Sequence, residues 1–130
     1  MKNMNNEKVK LTDDMRDVLC VTIDICDEME SSKEAGKTSR WIRSLCKNML
    51  DADPIPFNLL MVIWSMAHDM ISQCLFWSIM ISPDNPMYSF TQYVSGYFWT
   101  CVRVEEDVKR IMASSEYGRQ LWNAVSVEKI

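Results

Sequence analysis

Thr12, with Asp13 and Asp14 behind it, supplies a capping hydroxyl and a negative first turn. After it Met15, Val18, Leu19, Thr22, Cys26 and Met29 recur at spacings of three and four. That spacing is one face of a helix from about 13 to 30. The polar stretch SSKEAGKTS, which carries Gly36, reads as a loop, and Thr38 or Ser39 is placed to cap a second helix. Trp41, Ile42, Leu45, Cys46, Met49 and Leu50 form its apolar stripe, and it must end before Pro54. Pro54 and Pro56 suit the first turn of a third helix, where a missing N–H costs nothing. From Phe57 to Ile81 the sequence is apolar around most of a helical circumference, which predicts a central helix buried on nearly all sides.

Such a run invites comparison with the ~20 apolar residues that span a bilayer. His68 and Asp69 fall at its midpoint, where an acidic group costs roughly 2.5–3.5 kcal/mol on insertion, so no stable membrane insertion is expected. Pro83 ends the run, and Asn85 with Pro86 resembles the cap and first position of a fourth helix. That helix turns Phe90, Val94, Tyr97, Phe98, Cys101 and Val102 inward, with a break expected near 103–106. Ser114 and Ser115 cap a final short helix bearing Tyr117, Leu121, Trp122 and Val125. The expectation is an all-α bundle of five to seven helices around one hydrophobic helix at about 57–81. It forms a single domain over 1–130, with 1–11 a flexible lead and 127–130 a polar tail.

Composition agrees: only 3 Gly and 4 Pro leave little material for the tight turns of a many-stranded sheet. The formal charge of −4 removes any global attraction to nucleic acid or anionic lipid, and Lys2, Lys8 and Lys10 read as solvated lysines before the first helix. Cys20, Cys26, Cys46, Cys74 and Cys101 are odd in number and sit inside apolar helical patterns, so buried reduced thiols and a cytosolic or nuclear compartment are expected. The polar start MKNMNNEKVK lacks the apolar core of a signal peptide.

Little chemistry is legible. His68 is the single imidazole, and its neighbour Asp69 points about 100° away on a helix, so the two do not pair as a catalytic dyad. Glu105, Glu106 and Asp107 diverge around a helix and read as a solvated face. Without a CxxC pair, a second histidine or a glycine-rich phosphate loop, neither an enzyme nor a metal or other cofactor is expected. The surplus is apolar: 11 Met, 5 Trp, 4 Tyr and 4 Phe. Trp41, Leu45, Met49, Phe57, Met61, Tyr88 and Tyr97 exceed what one small core needs, which points to a partner-binding groove or a self-association patch.

Two segments carry a resemblance. Leu50 is followed by Asp53 at plus three, then Pro54, and Phe57, Asn58 and Leu59 open the apolar run. In IMASSEYGRQLWNAV, Ile111 precedes a polar turn and the aromatic Tyr117. These resemble the first and second homology boxes of the Bcl-2 family of apoptosis regulators, especially the diverged homologues carried by large DNA viruses. The Leu19-to-Asp24 spacing in the first helix adds no weight to them. The chain departs from the family at Pro54, where Gly is usual, at Phe57 for Trp, and at Asn58 and Leu59 for Gly and Arg. Leu59 thus replaces the Arg that holds the Asp of a bound helix, and the chain is short by about one helix.

The resemblance implies an anti-apoptotic protein that sequesters the amphipathic death-motif helix of pro-apoptotic relatives. Its groove would lie between the second helix and the start of the central one, at Trp41, Leu45, Met49, Leu50, Asp53, Phe57, Asn58, Met61 and Tyr117. It also implies a cytoplasmic protein recruited to the mitochondrial surface through partners. A non-apoptotic helical adaptor or host-signalling module acting as a homodimer remains the alternative.

Overall fold

The computed structural model describes residues 7–31 and 36–125, with backbone alone at 76–79 and at 125. Lys2, the loop at 32–35 and the tail from 126 lie outside the described residues. Six α-helices are present among the residues described: α1 (Asp13–Ser31), α2 (Lys37–Ala52), α3 (Leu60–Met80), α4 (Tyr88–Ser95), α5 (Phe98–Ala113) and α6 (Glu116–Val125). The all-α expectation holds. Two short strands join them, β1 (Lys8–Val9) and β2 (Ile55–Pro56), paired antiparallel with Val9 opposite Ile55.

Helix starts follow local hydrogen bonding. Thr12 Oγ1 accepts the Met15 N–H at 3.1 Å and Ser115 Oγ accepts the Gly118 N–H at 3.0 Å, so both hydroxyls satisfy first-turn donors as expected. At α2 the expectation fails. Gly36 occupies the cap position without a side-chain bond, and the Ser39 hydroxyl is buried 3.8 Å from the Met29 sulfur. Met29 itself is exposed rather than inward.

Pro54 and Pro56 do not open a helix either. Their segment pairs with Lys8–Val9, Phe57–Leu59 makes a 3-10 turn, and α3 begins only at Leu60. The residues from 7 to 11 are therefore held rather than loose: Phe57 N–H donates to Glu7 O at 3.0 Å and Leu11 is buried.

Asn85 Oδ1 accepts the Met87 N–H at 2.8 Å, which caps a turn, and α4 starts later at Tyr88. The break expected near 103–106 falls instead at Gly96–Tyr97, because Cys101, Val104, Val108 and Met112 carry one buried stripe straight through the acidic run.

Packing corrects one larger expectation. Helix α3 buries Leu60, Ile63, Trp64, Ala67, Met70 and Cys74, but Ser65, His68, Asp69, Ser72 and Gln73 form an exposed side. It is not enclosed on nearly all sides. Helix α5 lies between α1, α3 and α6 and shares the core with all three. The apolar excess of α3 is left at the surface, as at Leu75 and Met80. No helix among the described residues is long and apolar enough to cross a membrane.

Candidate interaction surface

The two flanks of α2 differ. Arg43 Nε meets Asp27 Oδ1 at 2.6 Å and Arg40 reaches Glu30 at 3.8 Å, so this flank is ion-paired to α1. Ile42 and Leu45 lie two residues beyond those arginines, about 200° round the helix, and pack against the core. Both are half-buried, and Trp41 beside them is 65% exposed.

A second stripe runs from the 3-10 turn into α3. Leu59, Val62 and Met66 recur at spacings of three and four and are half-buried. The two helices touch where Cys46 Sγ lies 3.8 Å from Met66 Sδ. Beneath them Cys46, Met49 and Ile63 are fully enclosed, and burial pushes the Cys46 thiol up to about 12, so it stays protonated and inert. The result is an apolar seam between α2 and the start of α3, with half-exposed walls and a dry floor.

The nine residues expected in a groove do not form one set. Trp41 and Leu45 stand on the seam, with Met49 in its floor. Leu50 is one heptad from Arg43 and belongs to the flank facing α1. Asp53 is structural: its Oδ1 accepts the Leu11 N–H at 2.9 Å and its Oδ2 the Arg16 guanidinium at 2.7 Å. The Leu11 bond above all, then Arg16, holds its carboxyl below the usual range.

Phe57 is buried, its ring 5.7 Å from that of Tyr117, so the two box-like segments do meet. They meet on the other side of α3, where Trp64 also packs edge-on against Trp122 at 5.2 Å, and Met61, between Phe57 and Trp64 in sequence, shares that flank. Asn58 is exposed at the turn. Sequence reasoning missed Ile42, Leu59, Val62 and Met66. The three-and-four spacing of the last three was present but hidden, since nearly every neighbour in α3 is apolar too.

His68 is hydrogen-bonded, though not to its sequence neighbour. Its Nδ1 lies 2.6 Å from Glu105 Oε1, and its ring stacks on Trp64 at 4.8 Å. Glu105 is thereby drawn out of the solvated face assigned to it, and Asp107 pairs with Arg110 at 3.0 Å. The pair ties α3 to α5. No three His, Cys, Asp or Glu side chains among the described residues gather closely enough to hold a metal ion.

Four described cysteines are buried and Cys20 is exposed, against the expectation that all are inside. A cleft of 390 Å3 between α1 and α2 is lined by Cys26, Asp27, Glu30, Arg40 and Arg43, whose charges already neutralise one another. No family, curated protein or solved structure matches this chain.

Proposed function

We propose that the protein binds without turnover, taking the apolar face of a partner's amphipathic helix into the seam between α2 and α3. The observation that carries this reading is the apolar set left only partly covered on either side of the Cys46–Met66 contact, Trp41, Ile42 and Leu45 on α2 and Leu59, Val62 and Met66 at the start of α3, residue types that take the apolar face of a helix. Methionine and leucine walls adapt to an inserted side chain, and the dry floor leaves nothing polar to desolvate. Four anchors at roughly 1.5–3 kcal/mol each are comparable with the ~12 kcal/mol of a nanomolar complex before ordering costs.

The box-like segments support a narrower reading, an anti-apoptotic Bcl-2-like protein of viral type that sequesters the death-motif helix of pro-apoptotic relatives. It would act in the cytoplasm and reach the mitochondrial surface through those partners. Leu59 supplies no cation for the motif's Asp, so binding rests on apolar anchors. Calorimetric titration with a panel of death-motif peptides tests it: saturable binding by at least one supports the reading, and no heat from any of them refutes it.

A second reading, a helical adaptor that self-associates, is favoured by Leu75, Met80 and Trp99, which are 53%, 64% and 68% exposed. Sedimentation at rising concentration distinguishes it.

A further inference from the structure

The described arginines divide unevenly. Arg16, Arg40, Arg43, Arg103 and Arg110 each meet a carboxylate within 4 Å. Arg119 meets none among the described residues; its Nη1 donates instead to the Ala113 carbonyl at 2.9 Å, closing the end of α5. Lys109 also lacks a carboxylate partner there, and its Nζ sits 5.8 Å above the Trp122 ring. In a chain with four more acidic than basic side chains, these two cations line one cleft with no acidic side chain among its lining residues.

That cleft, between α5 and α6, has a volume of 360 Å3. Lys109, Arg119 and Asn123 stand exposed around it, while Met112 and Trp122 provide an apolar floor. Trp122 is braced edge-on by Trp64, so the floor is set before anything binds. Gly118 makes the close approach of the two helices workable, since a Cβ there would run into the Met112 carbonyl.

We infer that this cleft is a docking site for an acidic peptide segment in which a glutamate or aspartate stands next to a leucine-sized side chain. The carboxylate takes the charge-assisted hydrogen bonds that Lys109 and Arg119 leave unused, and the apolar side chain lies on Trp122 and Met112. The chemistry favours a peptide over a free anion, because an inorganic ion leaves the apolar floor uncovered. It also disfavours nucleic acid, whose polyanionic backbone meets net repulsion from the rest of the chain. The site shares no lining residue with the seam and does not depend on it.

The test is amide and indole shift mapping by NMR with three probes: a capped leucine–glutamate peptide, its twin with glutamine at each glutamate, and inorganic phosphate. The expected result is saturable shifts at the Trp122 indole N–H and along 109–123 with the acidic peptide, and binding weaker by about tenfold or more with the twin. Lys109→Gln and Arg119→Gln should each weaken the acidic peptide by about tenfold. Lys109→Gln leaves the Ala113 cap intact, so it separates docking from folding. Equal affinity for the twin, equal affinity for phosphate, shifts mapping elsewhere, or no shift at millimolar peptide would each overturn the inference.

Discussion

Asp53 Oδ2 accepts a 2.7 Å hydrogen bond from Arg16 while its Oδ1 accepts the Leu11 N–H, so one carboxylate fastens the end of α2 both to the first turn of α1 and to the chain just ahead of it. Both bonds favour the charged form, and the folded pKa lies below the unfolded value of about 3.9. The stabilisation is therefore complete above about pH 4 and is lost as pH falls through the lowered folded value. Asp53→Asn should lower the thermal midpoint at pH 7 by several degrees, and its gap to the parent protein should close in acid. A gap that stays constant down to pH 2 contradicts this role.

Thiol labelling should be selective. Cys20 is exposed, whereas burial pushes Cys46 and Cys101 up to about 12 and also raises Cys26 and Cys74. Intact-mass analysis after brief iodoacetamide treatment near neutral pH should find one label, on Cys20, and five after denaturation. Rapid labelling of Cys46 in the native protein contradicts the dry floor of the seam.

The corner between α5 and α6 turns on Gly118. Gly118→Ala forces the corner open, separates Tyr117 from Phe57 and Trp122 from Trp64, and should cost about 1–3 kcal/mol or more in urea unfolding. A neutral effect contradicts the close approach.

Much of this architecture was legible in advance because helices advertise themselves by period: the inward face of α1 and the capping by Thr12 and Ser115 follow from spacing and hydroxyl placement alone. Where tertiary contacts decide, the sequence misleads. Ser39 is placed to cap a helix but faces Met29, Pro54 and Pro56 suit a helix start but the first precedes a short strand and the second lies in it, and Asp53, expected in the groove, holds Arg16. The seam was half legible. Trp41 and Leu45 could be read from an amphipathic helix, whereas a run as uniformly apolar as α3 has no contrast to show which flank carries Val62 and Met66.

Adjacent residues of α3 should separate binding from folding. Ile63 is fully buried, so Ile63→Ala should cost about 2–5 kcal/mol in urea unfolding. Val62 is half-buried on the seam, and Val62→Glu should lower the unfolding midpoint less than Ile63→Ala does while abolishing helix binding. Retained binding by Val62→Glu contradicts the seam as the docking site.

The central claim is tested most directly by NMR of the protein carrying 13C-methyl methionine, titrated with a death-motif helix that gives heat in calorimetry. Met66 stands on the wall of the seam, Met49 in its floor, and Met112 in the separate cleft between α5 and α6. The account predicts large saturable shifts at Met66 and smaller ones at Met49, with Met112 unmoved. Shifts centred on Met112, or none at Met66 at saturation, contradict it.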